Sequence, residues 1–97
     1  MTPLESDFHA AMLNTYDIAK ANGYRPTYFL QMVQQYGGVA AAKRLLAKHE
    51  IRAGLMTLRE HNLFDASMEA LVIQERFASL FTPEEIAEAR WRLDELR

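Results

Sequence analysis

Two adjacent glycines, Gly37 and Gly38, constrain the fold of this chain more than any other feature. Before them, Phe29, Met32, Val33 and Tyr36 fall at i, i+3, i+4 and i+7, one apolar stripe of a helix. Tyr28, Gln31 and Gln35 lie on the opposite side. After them, Val39, Ala42, Leu45 and Leu46 again follow helical spacing, with Ala40, Lys43, Arg44, Ala47 and Lys48 facing out. Glycine enters left-handed backbone without steric cost, so the pair both ends one helix and reverses the chain into the next. The spacing predicts helices over 26–36 and 39–48 joined by a sharp turn.

The remaining segments read the same way. Thr2, Pro3 and Glu5 form a capping box with proline at the first helical position, where its missing N–H does no harm. Phe8, Ala11, Met12, Thr15 and Ala19 continue that helix to a stop at Asn22-Gly23. A fourth helix is expected over 52–61, with Leu55 and Leu58 inward and Gly54 a liability of about 1 kcal/mol relative to alanine. A fifth starts at Asp65 or Ser67 and runs to Leu80, with apolar residues on more than one face. The last opens at Thr82-Pro83-Glu84-Glu85, a second capping box. The expectation is one all-α domain over 1–97, a compact bundle of five or six short helices. Its core should include Phe8, Met12, Phe29, Val33, Leu45, Leu46, Leu58, Leu71, Val72, Phe77, Phe81, Ile86 and Leu93.

Composition removes several function classes. There is no cysteine, which excludes disulfides, thiolate metal sites and cysteine nucleophiles. A net charge of −2 gives no global bias toward nucleic acid or membrane. No apolar run approaches a membrane span, and the N-terminus lacks the basic and apolar regions of a signal peptide, so a cytoplasmic protein is expected. His9, His49 and His61 lack the spacing of a metal site. The serines Ser6, Ser67 and Ser79 lack a nucleophile-elbow context, and Glu84 and Glu85 are accounted for by capping. Neither enzymatic activity, nor a cofactor, nor a metal is expected.

The pattern resembles a known group. It is carried by Tyr24-x-Pro26-Thr27-x-Phe29-Leu30-Gln31-Met32-Val33, Gly37-Gly38-Val39-x-x-Ala42-Lys43-x-Leu45-Leu46, and a Leu-x-Glu step at Leu58 and Glu60. It continues through Glu69-Ala70-Leu71-Val72 and Leu80-Phe81-Thr82-x-x-Glu85-Ile86-x-x-Ala89-x-x-x-Leu93. Together these resemble a widespread family of small, uncharacterised bacterial helical domains. The resemblance implies a helical fold and carries no established activity.

Charge separates along the chain. Residues 37–59 hold five basic side chains and one acid, a local charge of +4; residues 60–97 hold nine acids and four basic side chains, a local charge of −5. Lys43, Arg44, Lys48 and Arg52 could hold phosphates on the helix after Gly37-Gly38, which makes nucleic-acid binding one reading. That segment carries no Asn or Gln to read base edges, and a solvated helix face explains the same charges. The other reading is a non-enzymatic protein-interaction or regulatory module. Opposed charges favour docking on a partner or self-association, and Tyr28, Trp91 and Arg92 are residue types enriched at interfaces. Trp91 lies about 140° around the last helix from Ile86, off its main stripe.

Overall fold

Thr2 and Thr82 open their helices as the capping boxes require. Each threonine hydroxyl accepts from the N3 backbone N–H, and each N3 glutamate (Glu5, Glu85) accepts from the cap's own N–H at 2.8 Å. The computed structural model describes all 97 residues. It contains α1 (Pro3–Ala21), α2 (Thr27–Tyr36), α3 (Gly38–Leu45), α4 (Ala53–Glu60), α5 (Met68–Val72) and α6 (Pro83–Leu96), with 3₁₀ segments at Phe64–Ala66 and Glu75–Leu80. There is no strand. The radius of gyration, 12.2 Å, is close to the ~12.5 Å of a compact domain this long.

The double glycine divides two tasks between its members. Gly37 has φ +86° and ψ 159°, a region open essentially only to glycine. Gly38 is required for a different reason. A Cβ there would lie 2.6 Å from the His9 Cα, because the start of α3 crosses directly over α1. The Gly38 N–H donates to His9 Nδ1 at 2.9 Å, so that close crossing also satisfies one of the free amides at the helix start. Ala41 and Ala42 are fully buried in the same crossing. Packed against α2 as well, α3 joins the first three helices into one layer.

The core forms around Phe8. Its ring meets Phe77 and Phe81 edge-on at 5.0 and 5.1 Å between centroids, with Met12, Val33, Leu46, Val72 and Ala89 in the same cluster. Of the expected core residues, Phe29 and Ile86 are only partly buried, packed on the cluster's edge; the others are buried.

The segment expected as one helix to Leu80 is instead broken. It has a 3₁₀ turn at Phe64–Ala66, a five-residue α5, an extended Gln74 (ψ 134°) and a second 3₁₀ segment. Val72-Ile73 are poor helix formers, and one straight helix could not bring Met68, Leu71, Val72 and Phe77 all inside. The break turns Phe77 and Phe81 around Phe8. Ser67 caps α5 by accepting from the Ala70 N–H at 3.1 Å.

α3 also ends earlier than its spacing implies. It stops at Leu45, leaving Lys48 in the following turn and Arg52 at the N-cap of α4. The four basic residues therefore do not share one helix face. No helix is long and apolar enough to cross a membrane.

Candidate functional site

Arg92 sits at the junction of α3, α5 and α6 with no exposed surface. Its Nε donates to Glu88 Oε2 at 2.7 Å and its NH1 to Glu69 Oε2 at 3.1 Å. Its NH2 donates to the carbonyls of Leu45 at 3.0 Å and Lys48 at 2.8 Å. The Leu45 carbonyl is one that the end of α3 leaves without a helical partner, and the Lys48 carbonyl belongs to the turn that follows, so the buried guanidinium ties the end of α3 and this turn to α6. The expectation that Arg92 belongs to an interface is thus corrected: with no exposed surface and every donor group engaged inside the chain, it presents nothing to a partner. Its neighbours Leu93 and Ala89 are buried too, and the face of α6 that looks mixed in sequence is an internal one.

The network extends outward through Glu88. His49 Nδ1 lies 2.6 Å from Glu88 Oε1, so this nitrogen carries the hydrogen that the carboxylate accepts. The Glu50 N–H donates to the other oxygen at 3.3 Å. The half-buried Trp91 packs its ring against His49 at a tilt of 36°, with centroids 3.9 Å apart, and so clamps the segment after α3. Partial burial works against ionisation of Glu88, but the donors from His49 and Arg92 outweigh it and hold this carboxyl below its ordinary 4.5. Glu85 behaves alike: burial opposes ionisation, while Lys43 at 2.7 Å and the Thr82 cap prevail.

Glu69 is the opposite case. Burial pushes its carboxyl above the ordinary value, against the pull of Arg92. One oxygen is taken by Arg92. Apart from its own backbone amide, no protein group donates to the rest of the carboxyl. Glu69 lines a cleft of about 300 Å³ between α4 and the main core. Phe29, Leu45, Leu55, Leu58 and Met68 form the apolar walls, with Tyr24, Tyr28, Arg25 and Arg52 around the opening. The cleft exists because α4 stands apart: Leu55 and Leu58 are buried, yet they are not part of the cluster around Phe8. Gly54 has its explanation here, since a Cβ would come within 3.3 Å of the Tyr24 hydroxyl. Arg52 stands within electrostatic reach of Glu69, with no ion pair between them; it pairs instead with Glu50 at 3.1 Å.

Tyr28 is 58% exposed on the rim, with the Arg52 guanidinium 5.9 Å from its ring. Tyr36 is more sheltered, with Arg44 stacked on it at 3.8 Å. Of the four basic residues, Lys43 is engaged by Glu85 and Arg52 by Glu50, while Arg44 and Lys48 are exposed. No group of three or more His, Cys, Asp or Glu side chains converges as a metal site would.

Tyr28 and Arg52, singled out in the sequence, share the cleft rim, whereas Glu69 entered only as part of the Glu69-Ala70-Leu71-Val72 pattern and not as a site residue. The available signal was its i,i+3 and i,i+4 relation to Val72 and Ile73, which places a carboxylate on an apolar face.

The chain matches no protein-family model, no curated protein and no solved structure at a significant level. The functional reading therefore rests on geometry.

Proposed function

We propose that this chain is a non-enzymatic helical module that docks on a protein, either a partner or a second copy, through the face formed by α2 and the start of α4. The observation that carries this reading is Tyr28. It is a large aromatic left mostly in solvent, beside an arginine, at the mouth of an apolar cleft. Aromatic and arginine side chains around a pocket are the usual anchors of protein interfaces. Met56 on α4 is also exposed and adds apolar surface to the same helix. Trp91 takes a lesser part in this reading, because His49 already covers it.

Nucleic-acid binding is the less supported alternative. Lys43 and Arg52 would have to leave carboxylates to reach phosphates, and the acids that hold them would repel the backbone. A photo-crosslinking residue at position 28 tests the leading reading, with the same residue at exposed Asp17 as control. A discrete adduct formed from position 28 alone, rebuilt with the purified partner or second copy and lost on Arg52→Glu, is expected. Equal labelling from both positions, or none, would remove the docking face.

A further inference from the structure

We infer that the cleft between α4 and the core is a binding site for a small zwitterionic ligand with an apolar side chain, of the class of the aliphatic and aromatic α-amino acids. This goes beyond the docking reading, since a ligand inside the cleft is independent of what lies on the rim.

Three observations converge. The first is the cleft itself, about 300 Å³ with apolar walls and a few polar groups, which is the lower end of the usual range for small-molecule sites. The second is Glu69, 4% exposed, lining the cleft and held through one oxygen by Arg92, with its own backbone amide the only other donor to the carboxyl. A buried carboxylate with unused acceptor capacity favours an ammonium group that restores the hydration it has lost. The third is Arg52, at the opening and charged oppositely to Glu69. Both line the same cleft, and no ion pair of 4.0 Å or less joins them. A ligand carrying both an ammonium and a carboxylate pairs each end with its complement in such a cleft. Arg25 supplies a second cation beside the carboxylate position. A simple anion would meet Glu69 unpaired, and a simple amine would meet Arg52 and Arg25.

The roles are then distinct. Glu69 receives the ammonium, Arg52 the carboxylate, and Leu55, Leu58 and Met68 enclose the side chain. Arg92 is a positioning residue, which fixes the Glu69 carboxyl and does not touch the ligand.

The test is a titration of the isotopically labelled full chain, followed by amide and methyl NMR shifts, with L-leucine and L-phenylalanine as probes. Isoamylamine and 4-methylpentanoate each lack one charge of leucine and serve as controls. Saturable shifts confined to the residues around the cleft, weakened about tenfold or more with either control, are expected. Arg52→Gln changes a partly exposed side chain outside the core cluster, and it should weaken leucine about tenfold while leaving isoamylamine little changed. Glu69→Gln should weaken leucine and isoamylamine alike while leaving 4-methylpentanoate little changed. No saturable shift at millimolar probe, shifts scattered away from the cleft, or 4-methylpentanoate binding as tightly as leucine would each overturn the proposal. None of these results depends on whether position 28 crosslinks to a protein.

Discussion

Replacing Arg92 by methionine should be among the most damaging single changes in the chain. Methionine keeps most of the stem's volume, so the cost isolates the guanidinium. Four hydrogen bonds disappear, to Glu88, Glu69 and the carbonyls of Leu45 and Lys48. Glu88 keeps His49 and some access to water. Glu69 does not, and stays behind as a buried carboxylate facing a methyl group. Breaking a buried ion pair from one side costs about 3–5 kcal/mol. A domain of this size is stable by about 5–15 kcal/mol, so this one change removes a large share. At about 4–8 °C per kcal/mol, the melting temperature should fall by on the order of 20 °C. Urea unfolding followed by circular dichroism measures it directly. Tryptophan fluorescence is the poorer probe, since Trp91 adjoins the mutated site. A loss under about 1 kcal/mol would refute the reasoning, because that is the range of an ordinary surface substitution or an exposed ion pair.

Other consequences follow from the same geometry. Gly38→Ala forces a Cβ against the His9 backbone and should cost about 1–3 kcal/mol, read as a lower urea midpoint; an unchanged midpoint would mean that α1 and α3 do not cross where described. Because Glu88 has a folded-state value below its unfolded one, its contribution is present above 4.5 and is lost as pH falls through the depressed folded value. Glu69 is raised, so its ionisation costs stability as pH rises out of the acid range, and it works in the opposite sense. Glu88→Gln should therefore lower stability at neutral pH and flatten the acid limb, and parallel pH–stability curves would contradict that assignment. On duplex DNA of mixed sequence, fluorescence anisotropy should show no binding tighter than about 10⁻⁴ M at physiological salt. Micromolar binding abolished by charge reversal at Lys43 and Arg44 would transfer those residues to a nucleic-acid site.

What could be read from the sequence divides by the range of the interaction. Thr2, Thr82 and the glycines report on contacts within a few residues, and their helix ends fall where the local chemistry puts them. The core of Phe8, Val33, Phe77 and Phe81 follows from periodicity, since a helix face must be buried against something. The break inside 65–80 was not legible, because no glycine or proline marks it. It follows from where Phe8 lies, on a helix some seventy residues away. The end of α3 escaped for the same reason: alanine, lysine and leucine would all continue a helix, and the guanidinium that takes its last carbonyl belongs to α6. Arg92 and Glu69 are 23 residues apart and each looks like an ordinary helix-surface charge in isolation. Their burial is a property of the pair.

The pair also allows structure to be separated from ligand binding. Buried ion pairs are often replaceable by apolar residues with little loss, provided both partners change together. In Arg92→Met/Glu69→Leu the fully buried charges go together and Glu88 keeps His49, so the double variant should lose less stability than the two single costs summed, with a coupling of about 1 kcal/mol or more. The Lys48 carbonyl adjoins exposed chain and can turn to water; the Leu45 carbonyl cannot, which keeps recovery incomplete. If the carboxylate serves only to neutralise Arg92, this folded double variant should take up L-leucine as the wild type does. If Glu69 instead holds the ammonium, stability returns and binding does not. That split is the expected result, since Arg92 occupies only one of the carboxylate's two oxygens.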